Sequence, residues 1–221
     1  MKKSNRESFA DRATNILFTL PALLLYCVFF IYPVALGINY SFTDWNGIAK
    51  EYGYVGFQNY INLFKNAFFW QSMQVTLMYT LMLVVGVMFL ALVLSLALNS
   101  LKHFQTLTKS VFFVPAMIGG VTIALIFDQI YYRVLPVIGQ NLGISMLSQS
   151  PLATTKTALI AIVAVNIWQA TAMPTLIFMA GLQSVPGDLY ESAMLDGASA
   201  WKRFRYITFP YLMPTFTINM V

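Results

Sequence analysis

The chain has 221 residues, of which 58% are hydrophobic and only 10% charged, against roughly 25% charged in a soluble domain. With a mean hydropathy of +0.68, that composition excludes an ordinary soluble enzyme and points to a membrane protein. The net charge of +5 comes from 13 basic residues against 8 acidic ones. These are spread along the chain rather than gathered on one patch, so nucleic acid is not an expected partner. The single cysteine, Cys27, excludes an intrachain disulfide. One histidine, His103, with no cluster of His, Cys and carboxylate around it, leaves no metal site to expect.

Taken in chain order, residues 1–15 are mixed in charge, and Ile16 opens a charge-free run. About twenty apolar residues exceed the 7–15 of a signal-peptide core. The run therefore predicts a first spanning helix over about 16–42, loosened at Pro33. Residues 43–72 are polar and aromatic, with Asp44-Trp45-Asn46-Gly47 and Gly56-Phe57-Gln58-Asn59-Tyr60. Trp45, Trp70 and the tyrosines there suit the interface belt of a bilayer. A second charge-free run predicts a span over 73–98, followed by a short basic loop, 99–109, carrying Lys102, His103 and Lys109. A third span is expected over 110–128, weakened at Pro115 and Gly119-Gly120, with Asp128 at its exit. Breaks of that kind survive only where protein or water faces them, so this helix is expected to line the bundle interior.

Residues 129–156 return to polar character, with Gly139, Gly143 and Pro151 as turn signals. A fourth span over 157–182 carries Asn166, Trp168 and Gln169, with Thr171 and Pro174 close behind. Polar side chains at membrane depth face a cavity or a neighbouring helix. Asn166 and Gln169 are candidates to line a solute route, and Trp168 is a candidate to stack on a sugar ring. Interhelical hydrogen bonding is the competing explanation of each.

The connector after that span, 183–206, is the long polar interruption of the C-terminal half, and its residues predict two short helices. Pro186 suits a first helical position, with Val185 or Ser184 as cap. Asp188 and Glu191 are placed in the first turn, where the helix dipole favours carboxylates. Ala193, Gly197 and Ala200 recur at helical spacing, which predicts a face of nearly bare backbone. Lys202, Arg203 and Arg205 come near the end of the second helix, and Pro210 marks the next boundary. A fifth span, 207–221, begins near Ile207, and about fifteen residues do not cross a core that needs roughly twenty. A truncated chain is therefore expected.

Glu191, Ala193, Gly197, Ile207 and Pro210 stand at the spacing of the EAA loop of ABC importer permeases, which the connector resembles. That signature reads E-A-A, three residues, G, nine residues, I, one residue, L-P. Ser192 replaces its middle alanine and Phe209 its leucine. Asp196-Gly197-Ala198, and Gly56-Phe57-Gln58-Asn59-Tyr60 earlier in the chain, resemble the carbohydrate-uptake branch, such as maltose, multiple-sugar and glycerol-phosphate permeases. The resemblance implies an all-α polytopic helix bundle in the cytoplasmic membrane, with five spans visible, the fifth incomplete, of six. It implies that residues 186–210 couple the spans to two cytoplasmic ATPase subunits through Glu191, Ala193, Asp196, Gly197, Ala198, Ile207 and Pro210. It also implies a second permease subunit as heterodimer partner and an extracytoplasmic solute-binding protein.

No phosphate-binding loop of the Walker type and no catalytic constellation occurs in the chain. The subunit is therefore not expected to be an enzyme or to hold a cofactor; ATP is used by its partners. Nine basic residues fall at the N-terminus, in 99–109 and in 183–206, against Lys50, Lys65, Arg133 and Lys156 on the alternate side. The positive-inside rule then puts the N-terminus and the Glu191 loop in the cytoplasm. Two alternatives stay open: an importer of amino acids, peptides or ions built on the same machine, and an ATP-independent channel.

Overall fold

The computed structural model describes residues 9–100, 114–145 and 147–220. Lys2, Lys3 and Arg6, the loop residues Lys102, His103 and Lys109, and the expected start of the third span at 110–113 lie outside the described residues. Within them the secondary structure is helical, apart from one isolated bridge between Thr43 and Tyr54. Three helical stretches, Thr14–Ser41, Ala67–Asn99 and Gly120–Leu142, are long and apolar enough to cross a membrane. A bent pair, Thr155–Ala170 and Ala172–Gln183, makes a fourth if it is counted as one span. The chain divides into two units, 1–73 and 74–221.

In the first unit, α1 (Phe9–Tyr26) passes through a π-helical turn, Cys27–Ile31, into α2 (Tyr32–Ser41). Pro33 has no N–H and its ring crowds the carbonyl four residues back. The turn before it widens, and the Tyr32 N–H reaches back to the Cys27 carbonyl. A wider turn relieves the proline without ending the helix. The segment after α2 closes on itself, and the Asn59 amide is its clasp. Its N–H groups donate to the carbonyls of Ser41 at 3.0 Å and Thr43 at 2.7 Å. Tyr60 bonds the Ser41 hydroxyl at 2.7 Å, and Asp44 accepts from the Gly53 N–H at 2.6 Å. Trp45 Nε1 donates to the Ala49 carbonyl at 2.7 Å while its ring lies 4.1 Å from that of Tyr40. Asn59 opens α3 (Gln58–Lys65), so the amide ties that helix to the end of α2.

Removing this clasp strands two backbone carbonyls. Asn59→Ala is expected to weaken the lobe by about 1–3 kcal/mol, two hydrogen bonds' worth. Limited proteolysis within residues 43–57 should then run several-fold faster than in the native protein; an unchanged rate contradicts the assignment.

In the second unit, the part of α4 (Ala67–Ser100) from residue 74 onward supplies one wall of the core. Of the expected third span, 110–128, residues 114–117 are helical and a break follows at 118–119. Gly119 adopts an extended conformation and starts α5 (Gly120–Gln129), which continues through a second π turn, Ile130–Val134, into α6 (Leu135–Leu142). Pro136 again follows the widened turn by two residues. Of the three turn signals expected in this stretch, Gly143 ends α6 at φ +67°, and Pro151 opens a short 3-10 turn, Pro151–Ala153. Gly139 stays helical, its backbone against that of Leu147 with no room for a Cβ. Asp128 therefore lies inside a long apolar helix and not at its exit, because one charge within such a helix does not end it.

The fourth expected span is α7 (Thr155–Ala170) and α8 (Ala172–Gln183), bent by 47° at Thr171. Pro174 removes a donor there, and the Thr171 hydroxyl back-bonds to the Ile167 carbonyl, an arrangement that bends helices. The connector carries α9 (Gly187–Leu195) and α10 (Ala200–Arg203). The latter runs through a third π turn, Phe204–Thr208, into α11 (Phe209–Met220). Ile207 and Pro210 thus lie within a continuous helix rather than at its boundary, the π turn again preceding the proline by two residues. Met88, Ala91, Phe178, Leu182 and Leu212 form the buried core where α4, α8 and α11 meet.

Candidate functional site

Among the described residues of the second unit, polar side chains gather in the connector and in the space between α5 and α7. In the connector, Pro186 is the cap of α9 and Gly187 its first residue, one position later than expected. Asp188 sits in the first turn, where the dipole favours it. Glu191 falls in the second turn, is exposed, and makes no hydrogen bond or ion pair among the described residues. It is not a helix cap; its carboxylate is free for a partner.

The end of α9 corrects the expected small-residue face. The Gly197 N–H donates to the Met194 carbonyl at 3.0 Å and the Ala198 N–H to the Ala193 carbonyl at 2.9 Å. That is a Schellman turn, with Asp196 as the last half-helical residue and Gly197 left-handed at φ +71°. The helix stops there, so Ala193 and Ala200 belong to different helices and share no face with Gly197. A Cβ at Gly197 would meet nothing within 4 Å; only the backbone conformation demands glycine.

Sequence reasoning missed two bonds that tie the connector together. The Arg203 guanidinium donates to the Ala198 carbonyl at 3.1 Å, fastening the turn to α10. The Tyr190 hydroxyl meets the hydroxyl of the buried Thr208 at 2.8 Å, fastening α9 to the end of the π turn that leads into α11. A tyrosine inside α9 and a threonine between the motif's isoleucine and its proline were the available signals. Ser199 caps α10, its hydroxyl accepting from the Lys202 N–H. Beside these ties the connector exposes apolar side chains. Leu195 is 90% exposed and Trp201 69%, with Met194 also exposed.

The chain on either side of α5 is held to α7: Tyr131, in the π turn after it, donates to the Ala161 carbonyl at 2.9 Å, and Gln169 Nε2 donates to the carbonyl of Ile118, just before it, at 3.4 Å. Asn166 and Gln169 border two cavities. One, about 350 Å³, also meets Leu83, Ala116 and Met173. The other, about 300 Å³, meets Phe127, Asp128 and Tyr131. Asn166 Nδ2 donates to the Ile162 carbonyl at 2.9 Å, which leaves its oxygen and one N–H unused. Trp168 is not brought to either cavity. It borders a separate space of about 250 Å³ with Leu90, Leu94 and Pro115, its ring 5.7 Å from that of Phe127. Among the described residues no group of three or more His, Cys, Asp and Glu stands close enough to hold a metal ion.

Residues 70–221 match the family described as "Binding-protein-dependent transport system inner membrane component". The multiple sugar-binding transport system permease protein MsmF of Streptococcus mutans is 39% identical over 204 residues, covering 92% of this chain and 70% of that protein. The arabinooligosaccharides transport system permease protein AraP of Bacillus subtilis is 34% identical over 211 residues, covering 93% and 66%. A bacterial ABC transporter that imports the acidic polysaccharide alginate superposes with a TM-score of 0.79 at 20% identity, over 94% of this chain and 70% of that one. The last likeness shows the fold.

Proposed function

The chain belongs to the binding-protein-dependent transport system inner membrane components, a family of multi-pass permeases, and from that premise we propose that it is the permease of an ATP-driven importer of neutral sugars. It forms half of a path whose other half is a second permease subunit. Two cytoplasmic ATPase subunits drive it, and an extracytoplasmic solute-binding protein delivers the solute. The chain itself catalyses no reaction; its work is to open the path alternately to each side.

One observation carries the coupling role: a self-tied two-helix element that presents Leu195, Met194 and Trp201 to solvent beside an unpartnered Glu191 carboxylate. Exposed apolar side chains grouped outside the bilayer suit a protein partner's groove. Movement of such a partner would pass to α11 through the Tyr190–Thr208 hydrogen bond, which joins α9 to the π turn continuous with that helix. The neutral-sugar reading draws on the relatives, whose names include multiple-sugar and arabinooligosaccharide permeases. Unpaired amide groups beside cavities suit hydroxyl-rich solutes equally well.

The N-terminus and connector face the cytoplasm in this reading. The structure moves Arg133 inside the long helix Gly120–Leu142, so only Lys50, Lys65 and Lys156 remain on the opposite side.

The experiment is uptake into proteoliposomes by the complete permease assembled with its partner subunits. Maltotriose, raffinose and arabinotriose are the probes. Accumulation of at least one of them, dependent on both ATP and the binding protein, is expected. Flux without ATP would make it a channel, and ATP-driven uptake of amino acids alone would remove the sugar reading.

A further inference from the structure

Asp128 is a polar group that neither the motif nor the coupling element explains. It lies eight residues after Gly120, about 12 Å along a helix that is long enough to cross the membrane. Its carboxyl makes no hydrogen bond or ion pair among the described residues, including with Arg133 in the following π turn. An ionisable side chain at membrane depth is expensive and is normally paired or turned toward a water-filled space. Here it borders the cavity of about 300 Å³ that Asn166 and Gln169 also border. Phe127 and Tyr131, one residue before and three after, add aromatic surface to the same wall.

Counting donors and acceptors gives the site its character. The Tyr131 proton is committed to the Ala161 carbonyl, so its oxygen faces the cavity only as an acceptor. One N–H of Asn166 is committed to Ile162 and one of Gln169 to Ile118. What remains is an excess of acceptors: two carboxylate oxygens, two amide oxygens and a phenol oxygen, against two amide N–H groups. No lysine or arginine borders the space.

We infer that Asp128, with Tyr131, Asn166 and Gln169, forms a selectivity subsite that accepts hydrogen bonds from the hydroxyls of an uncharged saccharide and turns away anionic ones. The carboxylate supplies charge-assisted bonds to hydroxyl donors, and the aromatic wall covers the apolar face of a pyranose ring. A uronate would place like charge against Asp128 with no lysine or arginine on the wall to offset the repulsion. The alginate importer shares this fold, so the fold does not decide between neutral and acidic saccharides. The side chains at this position would.

This inference rests on the sugar reading above, and the test keeps the two apart. The complete permease and its partner permease are placed in nanodiscs without the binding protein, so that the membrane site alone selects. Saturation-transfer NMR then compares maltotriose, raffinose and arabinotriose with trigalacturonate. The native protein should transfer saturation to a neutral trisaccharide and not to the acid. Asp128→Asn should weaken neutral binding about tenfold, the worth of a hydrogen bond to a charged group, and admit trigalacturonate. Asp128→Glu should restore the rejection, which a merely structural role for the side chain would not do. Equal treatment of the acid by native and Asp128→Asn protein overturns the inference. So does absence of transfer from every neutral probe when ATP-driven uptake of that probe is intact. Absence of both transfer and uptake sinks the sugar reading instead.

Discussion

Gly197→Val is expected to leave the permease in the membrane and reduce ATP-driven uptake at least tenfold. Gly197 is held at φ +71°, a region in which an L residue is strained by roughly 1–2 kcal/mol and a β-branched one by more. Space is not the difficulty, since a Cβ there meets no atom within 4 Å. Relief requires the turn to open, which gives up the Gly197–Met194 and Ala198–Ala193 bonds and moves the carbonyl that Arg203 holds. Leu195 and Glu191 then lose their fixed position relative to α10. The spans are untouched, so insertion survives. Asparagine tolerates the left-handed region, and Gly197→Asn should keep most of the uptake. The measurement is uptake into vesicles together with retention of the ATPase subunits on the membrane. Equal loss in the valine and asparagine variants would mean that the absence of a side chain, not the backbone angle, is what the position needs.

That contrast shows what could be read in the sequence and what could not. The spacing of Glu191, Gly197, Ile207 and Pro210 located the connector and the family. It did not reveal that Gly197 ends a helix, because residues at i, i+4 and i+7 look the same whether the helix continues or stops. The prolines were ambiguous in the same way. Pro33, Pro136 and Pro210 each follow a widened turn and stay inside continuous helices, whereas Pro174 follows a 47° bend. A missing N–H can be absorbed by widening or by bending. Which one occurs depends on what packs nearby, such as the buried Thr171 hydroxyl that takes the Ile167 carbonyl.

Asp128 was placed at a span's exit because a charge after an apolar run usually marks the membrane edge. The helix instead runs on to Leu142, and Asp128 borders a cavity partway along it. Asn166 and Gln169 were visible as polar groups in an apolar run, but their common cavities were not, because Ile118 and Tyr131 come from another part of the chain.

Gly181→Leu should have the largest effect on stability. Gly181 lies on α8 where α11 crosses it: a Cβ would fall on the Thr215 hydroxyl and 2.9 Å from Leu212 Cδ2. Within a bilayer, lipid tails are as apolar as the helices, so association depends on close packing, which small residues permit. The fully buried Phe178 and Leu212 flank this contact and leave α11 no room to slide. Overpacking of this kind costs about 1–3 kcal/mol where neighbours yield. Here Gly181 meets buried side chains of the facing helix, and a leucine must separate the two helices. A fall of many degrees in the melting temperature of the detergent-solubilised protein, or loss of the monodisperse species, is expected. Gly181→Ala asks less, since its Cβ conflicts chiefly with the Thr215 hydroxyl. Thr215→Ala introduced with it removes that oxygen and should recover part of the loss, a coupling that two independent sites would not show. Because α11 continues through the Thr208 turn to Tyr190, displacement at Gly181 should also lower uptake in the alanine variant while the protein stays folded. Normal uptake at reduced stability would show that α11 and the connector move independently.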